Sequence, residues 1–174
     1  MCIINEIPEI HFHLTTTLTP EQFVAVLTDF GSRRSKLFGG STDAYLKVHH
    51  LGRLQADVTK GSLGIWERLH YDWSDPSRVV ITTTDSNVWE SRSFYTYTFT
   101  HQPNGTTDID VGVAREGKNL KEWVLGFLLR TIGRRVLEKA FEKSVKAIEA
   151  RSGAGNLTTH EIELLEMNNA ERSN

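Results

Sequence analysis

The residues best suited to chemistry lie in the stretch GIWERLHYDW, residues 64–73, where Glu67, Arg68 and His70 stand within four positions of one another. A positioned carboxylate, imidazole or phenol can move protons to and from a substrate, which is general acid–base catalysis. The remaining acid–base candidates are Asp85, Tyr95, Tyr97 and Arg130. Within the whole set, the candidate catalytic residues are Glu67, Tyr95 and Arg130.

The role of Glu67 depends on which face of its strand is buried. Glu67 shares one face with Leu69 and Tyr71, and if that face is the inner one, the carboxylate lies in an apolar site that raises its pKa, as acid–base catalysis requires. In the alternative, Trp66 and His70 point inward and Glu67 faces solvent. The sequence leaves both orientations open.

Several other chemistries lack the residues they need. The chain has no GxSxG motif, no glycine-rich phosphate loop after a strand, and a single cysteine, Cys2. His11 and His13 alternate on one predicted strand, and His49 and His50 are adjacent, but neither pair belongs to a helical metal-binding motif such as HExxH. We therefore expect neither a metal site nor a cofactor.

Composition sets limits on the partners and the setting. The 174 residues include 20 Lys and Arg against 22 Asp and Glu, a formal charge of -2, which argues against a nucleic-acid partner. The single cysteine excludes a disulfide framework and fits a reducing, cytoplasmic setting. Because no run of about 18 apolar residues occurs, we expect neither a membrane span nor a signal peptide.

The chain predicts a strand, a helix, six strands and a long helix. Residues 11–18 have the composition of a strand, and TPEQFVAVLTDFG, residues 19–31, begins with an N-cap threonine, a proline and a capping-box glutamine. Residues 32–38 can add a further helical turn or two. Six runs rich in β-branched and aromatic residues follow, separated by short turns, at 45–50, 54–59, 64–73, 79–84, 91–100 and 106–115.

The turn sequence Pro103-Asn104-Gly105 decides which side chains share the inner face of the last two strands. A type I turn with a glycine bulge suits the proline and pairs Gln102 with Thr106, whereas a two-residue Asn-Gly turn does not suit it. The first register places aromatic and aliphatic side chains on one face and polar ones on the other. The predicted inner face is Tyr95, Tyr97, Phe99, Ile109, Val111 and Val113.

The last helix, predicted at 120–151, contains a line of small residues at heptad spacing: Gly126, Gly133, Ala140 and Ala147. We place this line in the middle of the buried stripe. The missing side chains either let the helix approach the sheet closely or leave a cavity between the two, and both remain open. Arg130 projects near the edge of the stripe, where it either binds a ligand carboxylate or lays its stem over the rim.

The order of elements, closed by NLKEWVLGFLLRTIGRRVLEKAFEKSVKAIEAR, resembles the helix-grip domains of the START/Bet v 1-like (SRPBCC) superfamily. The stretches TTTDSNVW and VAREGKNLK are similar to its bacterial polyketide cyclase/dehydrase-type members. This resemblance implies an α+β fold, in which a curved antiparallel sheet of about seven strands wraps around a long C-terminal helix, with one or two short helices after the first strand. It covers 11–151, preceded by an N-terminal arm at 1–10.

The resemblance also implies a function, which is the binding of a hydrophobic, aromatic or lipid-like small molecule between the sheet and the C-terminal helix. One alternative is a polyketide cyclase or dehydratase that uses acid–base residues in the same cavity. The expected ligand-binding residues are Tyr95, Tyr97, Phe99, Val111, Val113, Gly126, Leu129, Arg130 and Gly133.

A third hypothesis is an interaction module. The polar tail, residues 152–174, contains a short amphipathic helical stretch at 158–167 that presents Leu164, Leu165 and Met167 among other apolar residues. This stretch is a candidate surface for a protein partner or for a second copy of the chain.

Overall fold

The structure is a computed structural model that describes residues 9–31, 45–119 and 133–153. These residues form seven strands and two helices. The strands are β1 (Glu9–Thr16), β2 (Tyr45–Leu51), β3 (Gln55–Ser62), β4 (Ile65–Asp72), β5 (Arg78–Ser86), β6 (Phe94–His101) and β7 (Thr107–Ala114). The helices are α1 (Pro20–Leu27) and α2 (Gly133–Gly153).

Helix α1 begins where its capping residues predict. The Thr19 side chain accepts a hydrogen bond from the Gln22 backbone N–H, and the Gln22 side chain accepts one from the Thr19 backbone N–H, which together form the capping box. The helix ends at Leu27, a few residues before Gly31. Phe23 and Leu27 are its buried residues, so α1 packs its apolar face against the core.

The seven strands form one antiparallel sheet in the order β1-β7-β6-β5-β4-β3-β2. From β2 to β7 each strand pairs with the next one in sequence, as short turns dictate, whereas β1 and β2 lie at opposite edges. The inner face of this sheet is covered by α1 and α2. This confirms the predicted α+β helix-grip architecture.

The register between β6 and β7 is also the one that the turn predicts. Tyr95 lies opposite Val113, Tyr97 opposite Val111 and Phe99 opposite Ile109. Gln102 N donates to Thr106 O at 2.8 Å, and Gly105 has a φ of +87°, a conformation that L side chains rarely adopt. The bulged turn therefore holds the aromatic and aliphatic side chains on one face.

Helix α2 meets the sheet through the residues around Phe141, Val145 and Ile148, the last two of which are buried. Phe141 lies 5.6 Å from Phe12 and 5.9 Å from Phe23 between ring centroids. The end of the helix is held by Glu149, which accepts hydrogen bonds from the Thr16 hydroxyl at 2.7 Å and the Thr17 backbone N–H at 2.9 Å. A single aromatic and aliphatic core thus joins α1, α2 and the sheet.

Two members of the predicted line of small residues, Ala140 and Ala147, do not lie in the middle of the buried face of α2. Ala140 and Ala147 are both exposed, and Val136 on the same helix is 60% exposed. Among the described residues of α2 the buried side is centred on Val145 and Ile148, so Ala140 and Ala147 lie further around the helix than predicted. Small residues and alanine carry little periodic signal of their own, which explains the error.

Other sequence predictions lie outside the described residues. These are Gly126, Leu129 and Arg130, the helical turn predicted at 32–38 and the amphipathic stretch at 158–167. Gly133 is the first residue of α2. Within 9–31, 45–119 and 133–153, no helix has the length and apolar character needed to cross a bilayer.

Candidate functional site

Glu67 lies on the inner face of β4, which settles the orientation that the sequence left open. Its side chain is buried, as are Leu69 and Tyr71 on the same face, whereas Trp66 on the other face is 39% exposed. A carboxylate therefore sits inside an otherwise largely apolar interior. Such a group is expected to be paired, since an isolated buried charge is costly.

The partner of Glu67 is Arg115, which directly follows β7. Arg115 Nη1 donates to Glu67 Oε2 at 2.7 Å and Nη2 donates to Glu67 Oε1 at 3.3 Å, so the contact is bidentate. Nη1 also lies 3.3 Å from the Thr83 hydroxyl, and Nη2 donates to the hydroxyl of Tyr95. The side chains of Arg115 and Glu67 are only 9% and 11% exposed, which makes this a buried ion pair.

A second cation, Lys60, approaches Glu67 from β3. In the β3–β4 register Lys60 lies opposite Glu67, and its Nζ is 3.6 Å from Glu67 Oε1. This separation is longer than the 2.7–2.9 Å or so of a charge-assisted hydrogen bond. Lys60 is the most exposed of the three charged side chains, at 17%.

Aromatic rings border the charged groups. The Arg115 guanidinium carbon lies 4.1 Å from the ring centroid of Tyr95 and 5.3 Å from that of Trp89, and Lys60 Nζ lies 5.9 Å from the ring centroid of Tyr95. These distances are typical of cation–π contacts. We call Lys60, Glu67, Thr83, Tyr95 and Arg115 the polar cluster, with Trp89 beside it.

The pKa of Glu67 is lowered, not raised as the sequence predicts for an inward orientation. Burial raises the pKa of this carboxyl, but the nearby charges of Arg115 and Lys60 and the hydrogen bonds from Arg115 outweigh that effect. Glu67 is therefore an ionised carboxylate at neutral pH. The sequence prediction was wrong because it considered the apolar neighbours on β4 but not the cations on β3 and after β7.

The tyrosines predicted to face inward occupy different surroundings. Tyr95 belongs to the polar cluster, whereas Tyr97 packs among rings, with centroids 5.8 Å from those of both Phe23 and Phe141. Phe99 is 5.4 Å from Phe23. The inner face therefore has a polar region around Tyr95 and an aromatic region around Tyr97, which is two positions further along β6.

The other acid–base candidates lie away from the polar cluster. His70 Nδ1 is 3.0 Å from Asp57 Oδ1, both of them on the face opposite Glu67. Asp85 is 61% exposed, 3.8 Å from Lys118 Nζ, and Arg68 is exposed. The structure thus brings together Glu67 and Tyr95 but none of these three candidates.

The histidine pairs make local contacts. His11 and His13 lie 3.4 Å and 3.3 Å from the carboxylate of Asp110, and His49 contacts the Thr59 hydroxyl at 2.7 Å. No group of three or more metal-ligating side chains occurs in the described part of the chain.

Sequence reasoning missed Lys60, Thr83, Trp89 and Arg115. Signals for two of them were present. Arg115 continues the inner alternation of Val111 and Val113 on β7, and Lys60 continues that of Ala56 and Val58 on β3. Following the alternation one step beyond the apolar residues would have predicted two cations inside.

The loop beside the polar cluster is tied to the β3–β4 turn through Asn87. Asn87 Nδ2 donates to Gly64 O at 2.7 Å, and Asn87 Oδ1 accepts from Trp66 N at 2.9 Å. Ser86 Oγ donates to Trp66 O at 2.7 Å. Two neighbouring loops are therefore joined by side-chain hydrogen bonds just before Glu67.

The polar cluster can bind oxygen atoms of a ligand. Lys60 and Arg115 supply N–H donors, and the Tyr95 hydroxyl, which accepts from Arg115, keeps its own hydrogen for donation. Two cations face one carboxylate, so the ionised groups carry a net charge of +1. The cluster is therefore suited to an electron-rich or negatively charged group.

Comparisons with known proteins give structural likeness only. No family model matches the chain, and no curated protein is similar to it in sequence. The Zhui aromatase/cyclase from Streptomyces sp. R1128 aligns with a TM-score of 0.67 at 10% identity, over 87% of this chain and 99% of that one.

Two further solved structures show the same architecture. A START superfamily protein from Mycobacterium smegmatis aligns with a TM-score of 0.58 at 9% identity, over 82% of this chain and 95% of that one. The protein TTHA0849 from Thermus thermophilus aligns with a TM-score of 0.59 at 18% identity, over 86% of this chain and 99% of that one. Together with the sheet order and the two covering helices, these matches show that the chain has the START/Bet v 1-like (SRPBCC) helix-grip fold.

Proposed function

We propose that this protein binds a hydrophobic or aromatic small molecule between the sheet and the C-terminal helix, with the polar cluster as the anchor for the ligand's polar group. The observation that carries the proposal is the set of three ionisable side chains, Lys60, Glu67 and Arg115, held within an apolar interior.

Stability alone is a poor reason to keep such a cluster. Moving charges out of water is costly, and replacing a buried ion pair by well-packed apolar residues is often neutral or stabilising. Perturbed ionisable groups inside a protein are more frequent at functional sites. The cost of burying Glu67 and its two cations is therefore an argument for a binding or catalytic role.

The surroundings of Tyr95 match the usual make-up of a ligand site. In the sheet Tyr95 lies between Ile81 on β5 and Val113 on β7, so an aliphatic surface adjoins the polar cluster directly. Ligand sites are mostly apolar with a few placed polar groups. We therefore extend the site from the cluster along Val111 and Val113 to the residues expected from sequence on the helix side: Gly126, Leu129, Arg130 and Gly133.

The proposal is tested by comparing native and denaturing mass spectrometry of the purified protein after exposure to a cell extract. We expect a small molecule that remains bound in the native spectrum and is lost when the fold is lost. The variant Val113→Phe, which enlarges a side chain beside Tyr95, should lose this molecule.

The matched control is Thr98→Phe, because Thr98 is exposed on the opposite face of the neighbouring strand. It should retain the molecule. Circular dichroism would confirm that both variants are folded. A protein that carries nothing, or a Val113→Phe variant that is folded and fully loaded, would contradict the proposed site.

A cyclase or dehydratase-like enzyme is the second candidate, favoured by the contact between Arg115 and the Tyr95 hydroxyl. Because its pKa is lowered, Glu67 is a weak base. In this candidate the Tyr95 hydroxyl donates a hydrogen bond to a substrate oxygen, and the charges of Arg115 and Lys60 stabilise the negative charge that develops on that oxygen. The structural likeness to an aromatase/cyclase supports testing this reaction class.

The two candidates are separated by Tyr95→Phe. With a polyketide-type chain as substrate, an enzyme should lose most of its turnover in Tyr95→Phe while its affinity changes little. Product formation is followed by mass spectrometry. Absence of turnover in the unaltered protein, with binding retained, would leave the binding function as the answer.

A further inference from the structure

The charges of the polar cluster are not balanced. Glu67 is the only buried carboxylate among residues 9–31, 45–119 and 133–153, and it faces both Arg115 and Lys60. A positive charge that is mostly removed from water without a full counter-charge is unfavourable. An anion placed at this point would remove that cost.

Of the two cations, Arg115 has little capacity left. Each of its terminal nitrogens has two hydrogens and makes two contacts, to Glu67 and Thr83 from Nη1 and to Glu67 and Tyr95 from Nη2. Arg115 is also the more deeply buried of the two. It is therefore occupied chiefly in holding Glu67 and Tyr95 in place.

Lys60 is in the opposite situation. Its ammonium has three donors, but in the described part of the chain its charged partner is Glu67 alone, at 3.6 Å, and no hydrogen bond joins it to another described residue. Its Nζ lies over the face of Tyr95 and its side chain is the most exposed of the three. With respect to the described residues, Lys60 thus has unused donors, a charge and partial exposure, which are the properties that an anionic ligand group needs.

Resting on the proposed binding function, we propose that the ligand carries an acidic group, a carboxylate or a comparable oxyanion, and that Lys60 selects it. The acidic group accepts hydrogen bonds from the Lys60 ammonium and from the Tyr95 hydroxyl, while the apolar body of the ligand lies along the aliphatic surface at Ile81 and Val113. Neutral molecules of the same shape bind to the same surface but without discrimination by Lys60.

The test uses two fluorescent probes that share one aromatic body. Anilinonaphthalene sulfonate carries a sulfonate, and phenylnaphthylamine is its neutral counterpart. Dissociation constants are measured by titration at pH 7 for the unaltered protein and for Lys60→Met, which keeps the length and apolar stem of the side chain. We expect Lys60→Met to raise the dissociation constant of the sulfonate probe by about tenfold, which corresponds to the loss of one charge-assisted hydrogen bond. The dissociation constant of the neutral probe should change by less than about twofold.

Two controls support this comparison. Lys60→Arg retains the charge and should bind the sulfonate nearly as well as the unaltered protein. Lys47→Met removes an exposed lysine from the neighbouring strand β2, where the side chain belongs to the opposite face from Lys60, and should change neither probe. Circular dichroism and thermal unfolding identify any variant that does not fold, in which case Lys60→Gln replaces Lys60→Met.

The possible outcomes separate the two proposals. If both probes bind and Lys60→Met affects neither, or affects both equally, the binding function stands and the selection of an acidic group by Lys60 is wrong. If neither probe binds the unaltered protein, both proposals are overturned. Selective loss of the sulfonate in Lys60→Met, with recovery in Lys60→Arg, supports both.

Discussion

Arg115 and Glu67 form a bidentate ion pair although their strands are not neighbours: β6 and β5 lie between β7 and β4. Adjacent strands are about 4.8 Å apart, so a flat sheet would separate these two strands by about 14 Å. The contact is possible because the sheet curves around its inner face and because Arg115 reaches inward from the end of β7. The ion pair therefore links distant parts of the sheet across its concave side.

Removing the cation of this pair should be strongly destabilising. Among the described residues, Arg115→Met leaves the buried Glu67 carboxylate with only the more distant Lys60 as a cationic partner. We expect the free energy of unfolding to fall by about 3 kcal/mol, as for other broken buried pairs. Urea denaturation followed by circular dichroism measures this change. The control is Arg78→Met, which removes an exposed arginine at the start of β5 and should cost less than about 0.5 kcal/mol. Equal, small effects of both substitutions would show that Glu67 is not held by Arg115.

The contribution of Glu67 should depend on pH in a defined direction. Its pKa in the folded protein is below the ordinary value of 4.5, so its stabilising effect is fully present above about that pH and is lost as the pH falls through the lower, folded value. We expect the difference in unfolding free energy between the unaltered protein and Glu67→Gln to be largest at neutral pH and to shrink as the pH falls below 4.5.

Urea denaturation across this pH range measures the difference between the two proteins. The pKa values of Asp72 and Glu149 are also lowered, but these residues are present in both proteins. Their contributions to the pH dependence therefore cancel in the difference in unfolding free energy. A difference that stays constant from neutral to acidic pH would contradict the assignment.

Glu149 should anchor the end of α2 to the chain after β1. Its carboxylate accepts from the Thr16 hydroxyl and from the backbone N–H and hydroxyl of Thr17, so Glu149→Ala leaves three donors without this acceptor. We expect a loss of about 1–3 kcal/mol in unfolding free energy and faster hydrogen exchange at the Thr17 amide. Glu142→Ala on the same helix is the control and should leave that amide unchanged. Unaltered exchange in Glu149→Ala would mean that this contact does not hold α2.

The turn between β3 and β4 offers a stabilising substitution. Leu63 has a φ of 53°, which is unfavourable for a leucine, and it is 96% exposed. Asparagine tolerates this conformation and is frequent before glycine in two-residue hairpin turns, so Leu63→Asn should raise the unfolding free energy by about 0.5–1 kcal/mol. Thermal unfolding would show a higher midpoint. Leu63→Val is the opposite control, since a β-branched residue is still less favourable at positive φ.

The parts of the fold that local patterns specify could be predicted from the sequence. The N-cap threonine and the capping-box glutamine located α1, and the Pro-Asn-Gly turn determined which residues of β6 and β7 face each other. These features depend on interactions within a few residues, or on a turn that links two adjacent strands. The placement of Tyr95, Tyr97 and Phe99 on the inner face followed directly from the turn.

The composition of the site could be predicted only in part. Glu67 and Tyr95 were identified as candidates, but the contact of both with Arg115 could not be predicted, because the strand of Arg115 is separated from that of Glu67 by two other strands. Only the curvature of the whole sheet brings these side chains together, and curvature is not readable from alternation along one strand. The direction of the Glu67 pKa was predicted wrongly because neither Arg115 nor Lys60 on the neighbouring strand β3 was considered.

The hydrogen bonds of Asn87 have a consequence for how a ligand would bind. Because its side chain joins the loop after β5 to Gly64 and Trp66, the wall next to the polar cluster is assembled before any ligand arrives. Binding to an ordered wall avoids much of the entropy loss that accompanies loop closure. The affinity of a ligand at this site would therefore depend mainly on its direct contacts and little on an entropy cost of ordering the loop. Preorganisation of this kind favours small, rigid molecules.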